Sequence, residues 1–127
     1  MIVALLDRSE NNHARCVHAV KELAQPLVTC EAVIAESCYL LRTVGGAAEA
    51  VVENVEKGVF QIPFSIHRSA AFVRRLIRKY RDHDIDFADA CLIRLAEELD
   101  TGEILTLDSE FQIYRWKKNK PFQFLIS

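Results

Sequence analysis

Helical patterns alternate with short β-rich runs along the 127 residues of the chain, and few folds accommodate such an alternation. Apolar residues recur at helical spacing in five segments, at residues 12–24, 30–44, 47–57, 69–81 and 86–99. Between and after them lie β-rich runs at residues 27–29, 59–64, 103–107 and 122–126. Helices that alternate with strands predict an α/β domain with a mainly parallel sheet.

Turn residues mark where these helices end. Pro26 ends the first helix, Gly45 and Gly46 end the second, and Gly58 is well placed for the left-handed conformation that follows a helix. In the second helix, periodicity predicts an inward stripe of Val33, Ile34, Ser37, Leu40, Leu41 and Val44. In the fourth, it predicts an inward stripe of Ala70, Phe72, Val73, Leu76, Ile77 and Tyr80.

Composition narrows the class of protein. A chain of this length with 50% hydrophobic and 27% charged residues predicts one domain over residues 1–127. No apolar run approaches the roughly 20 residues that cross a bilayer, and no export pattern is visible, so we expect a cytosolic protein without membrane association. A formal charge of −2 excludes binding of nucleic acid through global charge. The four widely spaced cysteines predict reduced, largely buried thiols.

Three carboxylates lie where an ionised group is costly unless a cation or hydrogen bond compensates. Glu36 lies within a run of apolar residues, which predicts that it is buried or nearly so. Asp89 lies in the first turn of a helix, where the amide dipoles favour an anion. Asp108 follows a buried-looking strand, at the end where open α/β sheets usually place their ligands.

Each of these carboxylates also has an ordinary structural interpretation when taken alone. Asp89 would cap free amides, although Asp86 is better placed as the cap. Glu36 would pair with an arginine such as Arg42 or Arg94, and Asp108 would belong to a turn. Taken together, three carboxylates in one cleft would repel each other unless a divalent cation held them ionised. Oxygen ligands without histidine or cysteine suit Mg²⁺ or Mn²⁺, ions that typically act on phosphate esters.

Four motifs follow one another along the chain: LLDRSE at residues 5–10, ESCYLL at 36–41, DFADA at 86–90 and LTLDSEF at 105–111. Their order, spacing and α/β setting closely resemble PIN-domain proteins of the VapC toxin type, over essentially the whole chain. The resemblance implies a three-layer α/β/α fold with a short, mainly parallel sheet. It also implies an endoribonuclease that uses Mg²⁺ or Mn²⁺, usually forms a homodimer and is usually neutralised by a small antitoxin protein.

The resemblance assigns roles residue by residue. Glu36, Asp89 and Asp108 match the second, third and fourth acidic positions of the family, and are the implied catalytic and metal-binding residues. Asp86 matches a position that is often acidic, so it is interpreted as a cap first and a ligand second. Thr106 is expected to orient Asp108 through its hydroxyl.

The start of the chain departs from the family pattern. Similar proteins begin with a short strand that ends in an aspartate, and this chain resembles them only from the helix that follows, at residues 2–7. We therefore expect the first central strand and the first acid to be missing. In the rival interpretation residues 1–6 form the first strand and Asp7 supplies the fourth carboxylate.

One concentrated basic surface precedes the C-terminus, on the fourth predicted helix. Its residues are Arg74, Arg75, Arg78 and Lys79, followed by Arg81. They are candidates for contacts with RNA phosphates, although a solvated helix face has the same pattern.

Three functional hypotheses follow from these patterns. The first is a metal-dependent endoribonuclease that hydrolyses RNA, as the toxin of a toxin-antitoxin pair. The second is a catalytically degenerate PIN-like module that binds a protein partner or RNA without cleaving it. The third is a helical interaction domain without a sheet, which the β-rich runs at residues 104–107 and 122–126 disfavour.

Overall fold

The computed structural model of the chain describes residues 11, 13–22, 26–101, 103–104, 113–117 and 119–124. Each of the five predicted helices is present: α1 (His13–Lys21), α2 (Glu31–Leu40), α3 (Ala47–Glu56), α4 (Ile66–Lys79) and α5 (Phe87–Leu99). A 3₁₀ turn at Arg81–His83 joins α4 to α5. The described strands are β1 (Leu27–Val28), β2 (Phe60–Gln61), β3 (Glu103–Ile104), β4 (Arg115–Trp116), β5 (Lys120–Pro121) and β6 (Gln123–Phe124). None of the helices in this part of the chain is both long and apolar enough to span a membrane.

The described strands pair in three separate ladders. β1 runs parallel to β2, with Leu27 opposite Phe60, and β3 runs parallel to β6, with Ile104 opposite Phe124. β4 and β5 form an antiparallel hairpin. The parallel pairs agree with the predicted mainly parallel sheet, and their presence shows that the hypothesis of a helical domain without a sheet is wrong. Both interpretations of residues 1–6, as helix or as strand, lie outside the described residues.

Helix α5 is buried around most of its circumference. Ala90, Cys91 and Ile93 are at most 1% exposed although they point in different directions from the helix axis. The helix contacts α2, α4 and the β4 strand, so it has neighbours on several sides. A helix that is apolar nearly all round is stable only where other elements cover it, and α5 is therefore the element around which the main core forms.

Helix α4 covers one side of α5 with a narrow stripe. Val73, Leu76 and Tyr80 are buried at helical spacing, and the buried Ser69 hydroxyl donates a hydrogen bond of 2.7 Å to Glu98 Oε1 on α5. The Ser65 hydroxyl accepts from the Arg68 amide at 3.4 Å and caps the helix. This cap starts α4 three residues earlier than the periodicity predicted.

Two residues predicted to face inward from α4 do not. Ala70 and Ile77 are exposed. The buried positions of α4 recur every three or four residues from Ser69, and the flanks of the predicted apolar stripe remain in contact with solvent.

A smaller core lies between α2, α3 and β2. Leu41, Ala47, Val51 and Phe60 form it, and the half-buried Val33 packs against both this core and the main one. The prediction that Leu40 faces inward was wrong, because α2 ends there and Leu40 is exposed, whereas Leu41, which was also predicted to face inward, is buried.

The segment between α3 and β2 also differs in part from the prediction. Gly58 follows α3 with φ +79°, which is the predicted left-handed conformation. Residues that carry a Cβ atom adopt this backbone conformation only at a cost in free energy. The strand predicted at residues 59–64 is shorter, since only Phe60 and Gln61 pair with β1.

The β4–β5 hairpin is attached to α4 by an aromatic contact. Tyr114 is fully buried and meets Tyr80 edge to face, with ring centroids 5.0 Å apart. The Tyr80 hydroxyl accepts a hydrogen bond of 2.8 Å from the Arg115 amide. One buried side chain therefore satisfies a backbone donor of a strand that is distant in sequence.

Tyr80→Phe should lower the free energy of unfolding by about 1 to 2 kcal/mol, because the Arg115 amide is deprived of its acceptor while the aromatic packing stays. Urea denaturation monitored by circular dichroism measures the change. Tyr39→Phe is the matched control, since Tyr39 is 63% exposed, and it should change stability by less than about 0.5 kcal/mol. Equal effects of the two substitutions would contradict the role given to the Tyr80 hydroxyl.

Candidate active site

Two of the predicted acids lie together at the start of α5. Asp86 is the N-cap, in extended backbone conformation, and its Oδ1 accepts a hydrogen bond of 2.8 Å from the Asp89 amide. Asp89 is half-buried in the first turn of the helix. The prediction that Asp86 caps this helix is confirmed. The two residues are adjacent in space because this cap requires a residue three positions before Asp89.

Glu36 lies in the middle of α2, the helix that packs against α5. It is exposed, so the prediction of a buried carboxylate was wrong. The neighbouring Ser37 is buried, and successive residues of a helix point about 100° apart around its axis.

The arginines considered as partners of Glu36 contact other groups. The Arg42 guanidinium lies 3.9 Å from the centroid of the Tyr39 ring and donates to the Tyr39 carbonyl at 2.7 Å. Arg94 lies against Glu97 and Glu98, with nitrogen to oxygen distances of 3.6 Å and 3.2 Å. The Arg94 Nε does not meet hydrogen-bond geometry toward Glu98, so this contact is electrostatic.

A pair of buried thiols joins α2 to α5 beside these acids. Cys30 precedes α2 and Cys91 lies in α5, and each is 1% exposed. Burial raises the pKa of Cys30, and the nearby charge of Asp89 raises it further. Burial, followed by the interaction with Cys30 and the charge of Asp86, raises the pKa of Cys91 to about 12. The negative charges of Asp86 and Asp89 therefore disfavour ionisation of the two thiols at the contact between α2 and α5.

The predicted thiol chemistry agrees with this arrangement. All four cysteines are free, and Cys16, Cys30 and Cys91 are buried while Cys38 is partly buried. A cysteine binds metal as a thiolate, and thiols with a raised pKa remain protonated near neutral pH. The sulfur atoms beside Asp86 and Asp89 are also buried, which leaves the carboxylate oxygens as the donors that solvent reaches. Such a donor set fits a hard cation such as Mg²⁺ or Mn²⁺.

The structure does not assemble the predicted set of three acids within its described residues. Asp108, Thr106 and Asp7 lie outside them. Among the residues that are described, no group of three or more histidine, cysteine or acidic side chains is arranged to hold a metal ion. The site that the structure describes is therefore the half formed by Asp86 and Asp89, next to the helix that carries Glu36.

The basic residues of α4 are exposed, as predicted, but they divide into two groups. The Arg75 guanidinium lies 5.2 Å from the ring centroid of Phe72, and the Lys79 ammonium 5.2 Å from that of Tyr80. Arg74 and Arg78 instead line a cleft that they share with Arg81. Sequence reasoning grouped all of them, and it missed both this division and the contact between Cys30 and Cys91, because neither has a local sequence signal.

Two comparisons with known proteins bear on this arrangement. The sequence profile of the PIN domain matches residues 1–117. The chain is also 34% identical over 109 residues to Ribonuclease VapC26 from Mycobacterium tuberculosis (strain ATCC 25618 / H37Rv), an alignment that covers 84% of this chain and 81% of that protein. Both agree with the resemblance found in the sequence motifs.

Asp86→Ala should lower the free energy of unfolding by about 1 kcal/mol, because the Asp89 amide is left without its acceptor at the exposed start of α5. Asp86→Asn keeps an oxygen at the same position and should cost less than about 0.5 kcal/mol. Chemical denaturation of both variants measures the difference. Equal destabilisation by the two substitutions would mean that the charge of Asp86, and not its capping hydrogen bond, stabilises the helix.

The stability of the protein should fall as the pH rises from about 9 to 12. The pKa of Cys91 is raised from an ordinary value of 9.0 to about 12 in the folded protein. The thiol therefore ionises at a lower pH in the unfolded chain than in the folded one, and the free energy of unfolding falls through this interval. Each pH unit removes up to about 1.4 kcal/mol.

Denaturation curves at successive pH values measure this dependence. Cys91→Ala should flatten the profile, whereas Val51→Ala, which truncates another fully buried side chain without a titrating group, should lower stability at every pH by a similar amount. A Cys91→Ala profile as steep as that of the unchanged protein would refute the assignment.

Proposed function

The chain belongs to the PIN-domain family, and on this basis we propose that it is a metal-dependent endoribonuclease that hydrolyses RNA phosphodiester bonds. The observation that carries the proposal is the pair of carboxylates at the start of α5, Asp86 and Asp89, inside the region that matches a protein named as a ribonuclease. Membership also confirms the predicted fold class, a three-layer α/β/α domain, which agrees with the described helices and short parallel ladders.

In the proposed reaction Asp89 is the central acidic ligand. Its backbone is held by the cap from Asp86, so the carboxylate projects from a fixed turn of a buried helix. Glu36 and Asp108 are the proposed further ligands, with Asp86, Thr106 and Asp7 as accessory residues. A bound Mg²⁺ or Mn²⁺ would activate a water molecule and stabilise charge on the departing ribose oxygen.

The start of α5 also contributes to the positioning of the substrate. The first turn of α5 directs free amides and the positive end of its dipole toward the space around Asp89, which favours anionic groups there. Those amides lie beside the carboxylates that would hold the ion. RNA phosphate is an anion, so the amides at the helix start and the bound ion would both attract it.

We propose the partners that the family resemblance implies. The substrate is RNA, the protein acts in the cytosol as the toxin of a toxin-antitoxin pair, and a small antitoxin protein neutralises it. A homodimer is the proposed assembly. The likeness to Ribonuclease VapC26 supports RNA as the substrate and an antitoxin as the partner, whereas the cytosolic location and the homodimer remain proposals from the sequence.

A second candidate function is a degenerate PIN-like module that binds RNA or a protein without cleavage. The exposure of Glu36 favours it, because a ligand to a catalytic metal usually lies in a partly dehydrated cleft. The two candidates differ in metal affinity. A titration of the full chain with Mn²⁺, monitored by isothermal calorimetry, should show binding for the nuclease and no binding for the degenerate module.

Asp89→Asn tests the proposed nuclease directly. Metal-dependent cleavage of a labelled RNA should fall by roughly 100-fold or more, because the substitution removes a carboxylate ligand. The fold should persist, since the capping bond to Asp86 uses the backbone amide of residue 89, and removal of the helix-dipole interaction costs only about 0.3 to 1 kcal/mol.

Glu56→Gln is the control for this test. It removes one negative charge at the exposed end of α3, far along the chain from the acids, and should leave cleavage unchanged. Unchanged cleavage by the Asp89→Asn variant would refute the assignment.

A further inference from the structure

A cleft opens on the outer side of α4, where the helix leads into the 3₁₀ turn. Its volume is about 430 Å³, within the range of sites that hold small-molecule ligands. The residues that line it are Arg74, Ile77, Arg78, Arg81, Asp84 and Ile85.

Three guanidinium groups share this cleft. Arg74, Arg78 and Arg81 are spaced by four and three residues, which places them on one face of the helix and its continuation. Within the described part of the chain, no carboxylate forms an ion pair with any of the three. An arginine can bind two oxygens of a phosphate at once, so the three together form a strong local attraction for anionic groups.

Apolar surface and one acid complete the lining. Ile85 is buried, and the Ile77 side chain is 39% exposed beside the arginines. Asp84, in left-handed conformation with φ +48°, is the one carboxylate among the lining residues, so they carry a net charge of +2. The chain as a whole has a formal charge of −2, and this positive charge is therefore local. Positive charge next to apolar surface suits a nucleotide, which has a phosphate and a base.

The cleft adjoins the candidate active site along the chain. Ile85 lines it, and the next residue is Asp86, the cap of α5. Consecutive Cα atoms are about 3.8 Å apart, so the backbone that lines the cleft at Ile85 is one residue from the backbone of the first site carboxylate. This adjacency of a cleft residue and a site residue is what points to one strand of RNA as the ligand of both.

We propose that this cleft is a binding site for a nucleotide of single-stranded RNA that flanks the one bound at Asp89. The identity of the ligand rests on the proposed nuclease function. Arg74, Arg78 and Arg81 contact its phosphates, and the apolar surface of Ile77 packs against the nucleotide. Arg75 and Lys79, which lie over aromatic rings outside this lining, are not part of the site.

Binding in the absence of cleavage tests the proposal. The full chain is titrated into a short, fluorescently labelled single-stranded RNA in the presence of EDTA, and anisotropy is recorded at several salt concentrations. Arg74→Gln, Arg78→Gln and Arg81→Gln combined should weaken binding by roughly 10-fold or more. The slope of log affinity against log salt concentration should become shallower by about 0.7 for each phosphate that the variant no longer neutralises. Arg78→Gln alone should have a smaller effect of the same kind, and it provides the readout if the triple variant does not fold.

Arg75→Gln is the matched control, because it removes the same charge from the same helix but outside the cleft. It should change RNA affinity by less than about 2-fold. Equal effects of Arg75→Gln and Arg78→Gln, or a folded triple variant that binds RNA like the unchanged protein, would overturn the proposal. Competition by a polyglutamate peptide as strong as that by unlabelled RNA would also overturn it, in favour of an acidic protein partner.

The binding site and the catalytic site can fail independently. If Asp89→Asn leaves cleavage unchanged while the cleft variants bind RNA more weakly, the catalytic assignment fails and the binding site stands. If Asp89→Asn abolishes cleavage while the cleft variants bind normally, the binding site fails and the catalytic assignment stands.

Discussion

The main core of the described structure depends on the burial of helix α5. Its apolar residues point in several directions, so α2, α4 and the β4 strand must all pack against it to remove them from water. This arrangement has a direct consequence for chemistry. The same helix is capped by Asp86 and carries Asp89 in its first turn, and the packing that stabilises α5 also holds those carboxylates in position.

The contact between Cys30 and Cys91 connects the core to the candidate site. Both thiols are buried where α2 meets α5, and the charges of Asp86 and Asp89 reach them. Because burial raises the pKa of both thiols, they stay protonated near neutral pH and pack as small apolar side chains. The junction of the two helices is therefore an apolar contact that lies beside the carboxylates.

Much of the fold was predictable because its signals are local. Helix periodicity located all five helices, and the three-residue spacing of Asp86 and Asp89 predicted the cap, since capping depends on neighbours along the chain. The exposure of Glu36, Leu40 and Ile77 was not predictable in this way. Periodicity gives the direction of a side chain from its helix axis, but the width of the covered stripe depends on which helix packs against it and how closely.

The order of amino acids alone was enough to define the helices and the family, because these depend on hydrogen bonds and motifs within short stretches of the chain. Which residues became neighbours depended instead on how the helices pack. Packing placed Cys30 against Cys91 and separated Arg78, in the cleft, from Arg75, over the Phe72 ring. Nearby positions on a helix have the same local preferences, and only the packing of α4 against α5 and the turn after it gives them different surroundings.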